Sequence, residues 1–309
     1  MEKPGILARV ADENRKFFLK NCIEADTPRM EATVYPEGLD VKSDLPYAEG
    51  NALPAPLAVD SAAEGMAFCC SDRTLDIYTP ENAKAEEIFL LIHGGAFVYG
   101  CKELDKEFGM HLSLRSKIAV ANVNYRLMPS TDLKGQLQDI FYAIEFLCKM
   151  GYKRFHTIGD SAGGYLCLLV AILINSKEAR KACGIEDLSY EISCPSTSPI
   201  CGDHKETPRK FAGIYFDPKK EMPSFIYDLT EAAKLYGCPP TVMTTGDTDM
   251  MLKQNLRLLK KLTAIGIPVD YYCAESAEDR VMHHVYSIAH PTWPESIRCI
   301  DMTCKAAGV

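Results

Sequence analysis

The stretch Gly159-Asp160-Ser161-Ala162-Gly163-Gly164 places one serine between closely spaced glycines. It follows the apolar run Phe155–Ile158 and precedes the apolar helical pattern Leu166–Ile174, so Ser161 is expected on a sharp strand-to-helix turn. Such a turn strains the serine backbone and brings strand and helix close together. Gly159 and Gly163 fit positions where a side chain would collide. The turn would expose the Ser161 hydroxyl at the end of a sheet and at a helix N-terminus. There the next N–H, from Ala162, can face a developing oxyanion. The bland alternative is a glycine turn with no chemical task.

A second glycine stretch, Leu91-Ile92-His93-Gly94-Gly95-Ala96-Phe97, ends another apolar run. Gly94 and Gly95 allow the backbone to swing its N–H groups inward, which makes Gly94, Gly95 and Ala162 the expected oxyanion donors. Loss of one such donor typically slows turnover by about 10²–10³-fold. His93 reads as a hydrogen-bonded organiser of this loop rather than as an acid or base.

A serine hydroxyl is a poor nucleophile until a base removes its proton, and the base needs an oriented tautomer. The apolar strand Thr241–Thr244 runs into Gly246-Asp247-Thr248-Asp249-Met250. A carboxylate there would sit on the same rim as Ser161. Asp249 is the expected acid, Asp247 the fallback, and a turn-forming aspartate the alternative for either. The base should lie in Met282-His283-His284-Val285-Tyr286, where adjacent histidines leave two candidates. His290, in the His-Pro that follows, reads as structural.

These segments need a frame. Short apolar runs at Leu75–Tyr78, Ile88–Ile92, Ile118–Val123, Phe155–Ile158, Glu191–Pro195, Thr241–Thr244 and Val269–Cys273 predict strands. Helical patterns lie between them at Asp139–Met150, Ala162–Asn175 and Leu252–Ala264, the last stopped by Gly266 and Pro268. Residues 5–22 predict an amphipathic opening helix and Ser296–Ala306 a closing one. The alternation predicts an α/β fold with a mostly parallel sheet and helices on both faces. Residues 28–65 read as irregular or lid-like. Residues 196–240, rich in proline and in aromatics such as Phe211, Tyr215, Phe216, Phe225, Tyr227 and Tyr236, read equally as a surface connection or a cap.

The chain has 309 residues with 47% hydrophobic and 25% charged content, ordinary globular values. A net charge of −8 disfavours a nucleic acid or an anionic membrane surface as partner. No apolar run reaches the ~18 residues of a membrane helix, and the opening residues do not read as a signal peptide. Thirteen cysteines sit mostly singly in apolar runs and read as buried thiols, which makes the cytoplasm the expected compartment. No metal-binding spacing occurs, so no metal or other cofactor is expected.

Together the segments resemble the hormone-sensitive-lipase-like branch of the α/β-hydrolase superfamily, esterases with an HGGG-type loop and a GDSAGG elbow. The resemblance runs from about residue 86 to the C-terminus. His93-Gly94-Gly95 corresponds to the HGG of that family, with Ala96 in place of the third glycine. Tyr125-Arg126-Leu127-Met128-Pro129 is similar to its YRLAP segment, and Gln138-Asp139 to the head of the helix after it. Gly246-Asp247-Thr248-Asp249 fits its G-x-x-D acid turn, which favours Asp249. His284-Val285-Tyr286 fits its His-x-aromatic motif, which favours His284 over His283. The resemblance implies a single α/β-hydrolase domain over 1–309. Residues 71–195 and 241–309 would form its catalytic core, residues 1–70 an N-terminal cap segment, and 196–240 a possible cap insertion. It implies a serine carboxylesterase acting on small or short-chain acyl esters, with Ser161, His284 and Asp249 as nucleophile, base and acid. An amidase, peptidase or acyltransferase with the same triad is the near alternative, and a non-catalytic ligand-binding relative the distant one. A small-molecule ester is the expected partner, and self-association into a homo-oligomer stays open.

Overall fold

The computed structural model describes residues 6–48, 72–128, 130–185, 188–200 and 222–309. Its centre is a sheet of eight strands: β1 (Leu39–Pro46), β2 (Thr74–Pro80), β3 (Glu87–Ile92), β4 (Ala119–Val123), β5 (Arg154–Asp160), β6 (Thr197–Ile200), β7 (Thr241–Gly246) and β8 (Val269–Ala274). They lie in the order β1-β2-β4-β3-β5-β6-β7-β8. The β1–β2 and β2–β4 pairs are antiparallel and the rest parallel.

The helices are α1 (Ile6–Ala32), α2 (Lys102–Ser116), α3 (Leu133–Lys149), α4 (Ser161–Asn175), α5 (Lys177–Ala182), α6 (Leu229–Tyr236), α7 (Leu252–Ala264), α8 (Tyr286–Ala289) and α9 (Pro294–Ala306). Successive strand residues point to opposite faces. In β3, Ile88, Leu90 and Ile92 enter a large core shared with α3, α4 and α7, while Phe89 and Leu91 enter a smaller one under α2 and α9. The sheet is thus apolar on both sides, as its uninterrupted runs predict. Every residue of α4 from Ser161 to Ile174 is buried. Its mean composition is apolar all round, which suits a helix wrapped by protein. Full burial of each leucine or isoleucine there stabilises the fold by about 1.5–3 kcal/mol.

Three expectations change. Residues 39–46, inside the segment read as irregular, form β1. Every position of that edge strand is exposed or half-buried, so no apolar alternation betrays it. The strand expected over Glu191–Pro195 forms instead at Thr197–Ile200, and Ser193 makes only a bridge to Arg154. Its register is set by Thr157 beside Thr197, whose hydroxyls bond at 2.8 Å. The sheet therefore continues past residue 195. The helix expected to begin at Asp139 begins at Leu133, capped by the Asp132 side chain accepting from the Gly135 N–H at 3.0 Å.

Helix α2 escaped the periodic pattern because its inner face is partly polar, burying Lys102, Asp105, Ser113 and Ser116. Lys102 Nζ lies 2.9 Å from both Asp76 of β2 and Asp44 of β1, and it also pairs with Glu103. Three elements are joined at this one cation.

Of the proposed cap insertion, Phe225, Tyr227 and Tyr236 belong to a 3-10 turn at Ser224–Tyr227 and to α6, both packed on the α4 side. The Tyr165 hydroxyl of α4 donates to the Ile226 carbonyl there. Phe211, Tyr215 and Phe216 lie outside the described residues, as do residues 49–71 of the N-terminal segment. No helix among the described residues is long and apolar enough to cross a membrane.

Candidate active site

β5 ends at Asp160 and α4 begins at Ser161, with no residue between. Ser161 adopts φ 52°, the left-handed region that side chains avoid. A Cβ at Gly163 would collide with the Ile92 carbonyl oxygen of β3, and one at Gly159 with the Gly163 carbonyl. This close approach of strand and helix aims the Ser161 side chain along the rim of the sheet.

Three side chains distant in sequence meet there. His284 Nε2 lies 2.9 Å from Ser161 Oγ, and His284 Nδ1 lies 2.8 Å from Asp249 Oδ1. A carboxylate can only accept, so Nδ1 carries a proton toward Asp249, and Nε2 of the neutral ring is free to take the serine proton. Asp249 also accepts from the Thr245 hydroxyl at 3.0 Å and from the Met251 N–H at 2.7 Å. Sequence reading missed Thr245, although it stands in the Thr-Thr-Gly run leading into the acid turn. Asp247 points elsewhere: its carboxylate accepts from the Ser276 N–H and hydroxyl, and these bonds hold its pKa below the usual value. His283 is exposed, donates from Nδ1 to the His284 carbonyl at 2.8 Å and lies against His290. His290 in turn stacks on Trp293 at 3.9 Å. Neither Asp247 nor His283 joins the relay.

The loop after β3 turns through positive φ at Gly95 (100°), Ala96 (52°) and Phe97 (66°). It is held from several sides. The Phe97 carbonyl accepts from the Met128 N–H at 2.9 Å and from Gln136 Nε2 at 3.1 Å. His93 is buried, donates from Nδ1 to the Gly94 carbonyl at 2.9 Å and stacks on Tyr125 at 4.4 Å. Burial pushes its pKa down to about 4, so the ring stays neutral in its organising position. The Tyr125 hydroxyl donates to the His93 carbonyl at 2.8 Å, and Arg126 forms a two-pronged pair with the buried Asp139 at 2.7 and 2.8 Å.

The Gly94 backbone lies against the Asp160 carboxyl group, where a Cβ would collide with Oδ2, and its N–H favours the charged form of that carboxyl. The N–H groups of Gly95, Ala96 and Ala162, by contrast, have no protein acceptor among the described residues. Asp160 stands at the N-cap of α4 but makes no side-chain capping bond, so the first turn of the helix keeps its N–H groups open toward Ser161.

Comparison with known proteins agrees with this architecture. A profile of the alpha/beta hydrolase fold family matches residues 89–283. Carboxylesterase/phospholipase LipF of Mycobacterium tuberculosis is 28% identical over 230 residues, covering 70% of this chain and 60% of that protein. Esterase LipU of the same organism is 27% identical over 238 residues, 68% of this chain and 74% of its own length. Among solved structures, esterase B of Lactobacillus rhamnosis superposes with a TM-score of 0.78 at 23% identity, over 97% of this chain and 97% of that one. An esterase of the bacterial hormone-sensitive lipase family superposes with a TM-score of 0.67 at 18% identity, over 99% and 98% of the two chains. The eight-stranded sheet, the glycine-bounded serine turn and the family match over most of its length make this chain a member of the alpha/beta hydrolase fold family.

Proposed function

We propose that the protein is a serine carboxylesterase working through an acyl-enzyme on Ser161. The observation that carries this reading is the continuous relay from Ser161 Oγ through His284 to Asp249, at 2.9 and 2.8 Å. As Oγ attacks the ester carbonyl carbon, His284 Nε2 takes its proton, and the Asp249 carboxylate steadies the imidazolium. Negative charge gathers on the carbonyl oxygen. The unpartnered N–H groups of Gly95, Ala96 and Ala162, at the positive end of α4, are the donors suited to receive it. Collapse of the tetrahedral intermediate breaks the acyl C–O bond, and His284 returns the proton to the leaving alcohol. Water then adds to the acyl group by the same sequence and releases the acid and free serine. No step calls for a metal or an organic cofactor.

Esterase names among the relatives support the ester over the amide as substrate. The preference for short acyl groups rests on likeness to esterase B, solved with a tributyrin phosphonate inhibitor. Hydrolysis of p-nitrophenyl acetate, butyrate and longer esters, beside matched anilides, tests both parts. Turnover highest on the short esters is expected, and turnover confined to anilides would replace the esterase reading with an amidase. Ser161→Ala should lower kcat by about 10⁴–10⁶-fold without loss of fold. Turnover surviving that substitution would remove Ser161 from the mechanism.

A further inference from the structure

Two buried carboxyl groups lie behind the serine turn with no part in the proton relay. Asp160 precedes Ser161, and Asp105 is in the first turn of α2. They are 6% and 2% exposed. Each keeps one oxygen that is fully buried and receives no donor, Oδ1 of Asp160 and Oδ2 of Asp105. The two side chains are nevertheless within hydrogen-bond reach of each other. Two carboxylates cannot bond, since neither has a hydrogen to give. One proton held between them satisfies both groups.

We propose that Asp105 and Asp160 form a buried acid–carboxylate pair that shares one proton and fixes the oxyanion loop through Gly94, making Asp105 a positioning residue for the reaction. This rests on the esterase reading above only for its kinetic consequence.

Asp105 is the partner that holds the proton. Burial raises its pKa well above the carboxylate range, and the neighbouring Asp160 charge raises it further. Asp160 is also raised by burial, but the Asp105 hydrogen bond, the nearby His284 and the Gly94 N–H all favour its charged form. Other charged and titratable groups face the pair. From α1, Arg29 lowers and Asp26 raises the Asp105 pKa. Tyr125 sits close enough for both carboxyls to push its phenol upward. Arg29 is itself held by Asp26 at 3.0 Å.

An aspartate at a helix N-cap ordinarily accepts from the first-turn N–H groups. The pairing with Asp105 turns Asp160 away from that task and toward Gly94. One carboxylate thereby leaves the helix N–H groups open and pins the neighbouring glycine loop. Loss of the Asp105 proton would set two negative charges side by side and force the loop to move.

Asp105→Ala should lower kcat about 10- to 100-fold, the loss expected for a buried hydrogen bond to a charged group, with KM close to the wild-type value. Asp105→Asn, whose amide N–H still donates, should recover most of that loss. Two readouts need no substrate. The wild-type protein at neutral pH should show a carboxylic-acid carbonyl stretch in its infrared spectrum that Asp105→Asn lacks. The unfolded chain ionises Asp105 freely whereas the fold keeps it protonated, so wild-type stability falls as pH rises above about 4 toward the raised folded value. Asparagine has no proton to lose, so the Tm of Asp105→Asn relative to wild type should climb with pH. An unchanged infrared spectrum, or a Tm difference flat with pH, would overturn the shared proton even if the protein hydrolyses esters. An Asp105→Asn enzyme as slow as Asp105→Ala would overturn the positioning role.

Discussion

Ser161, Ala96, Phe97 and Val285 are non-glycine residues with positive φ, and all four stand at or beside the relay. Each such conformation costs of order 1–3 kcal/mol and persists only where packing over-determines it. Ala96 occupies the place of a glycine in the family pattern, and its φ of 52° explains why glycine suits that place. Ala96→Gly should leave Tm unchanged or raise it, since the strain relieved, about 1 kcal/mol, is close to glycine's own entropic cost. Ala96→Val should lower Tm, because a β-branched side chain fits that region worse. Both are read by thermal melts. Thr245→Val keeps the shape but removes the 3.0 Å bond to Asp249, so kcat should fall roughly tenfold with KM little changed. The nucleophile, base and acid were legible as residue types at the ends of apolar runs. The contact of Asp160 with Gly94 and the bond from Thr245 to Asp249 were not legible there. Which N–H or hydroxyl points inward depends on folded neighbours, here Asp160, distant in sequence from Gly94, and Asp249, on the turn just after Thr245.

At the scale of elements, the sequence showed what apolar periodicity can show. Helix α7 appears at its expected ends, and β3 and β7 begin or end within a residue or two of theirs. The elements it hid have polar inner faces or no buried face: α2 and β1. Lys102 explains how they hold together, buried against Asp76 and close to Asp44. Lys102→Met would leave Asp76, 1% exposed, with only the more distant cation of Lys106 at 4.0 Å. A destabilisation of about 3–5 kcal/mol is expected, measurable by urea unfolding. Further ties join α1 to the oxyanion loop and to the first turn of α2. The Tyr99 hydroxyl donates to Asp26 at 2.8 Å, and Arg29 Nη1 donates to the Leu104 carbonyl at 3.1 Å. Tyr99→Phe should lower kcat more than it lowers Tm if α1 steadies the loop, and the two effects are separated by parallel kinetics and melts.

For the whole molecule, the charge pattern that governs stability against pH lies inside. His93 and His156 are buried, and burial lowers both pKa values to about 4. The unfolded chain takes up their protons near the ordinary value of about 6.5 while the folded one resists. The stability they contribute is present above that value and is lost as pH falls from about 6.5 toward 4. Each shift corresponds to about 3 kcal/mol at most. His156 takes no part in the relay and bonds to Ser196 at 2.8 Å. His156→Gln should therefore flatten the acid side of the Tm curve while leaving its neutral side lower or unchanged.

The nucleophile and its base are anchored in unlike material. Ser161 opens a helix buried from Ser161 to Ile174, whereas His284 hangs from a segment whose neighbours Val281 and His283 face solvent. Warming should therefore dismantle the centre in order. The imidazole swings out first and reversibly, silencing the hydroxyl while the spectroscopic signature of the core is intact, and only later does the serine lose its place.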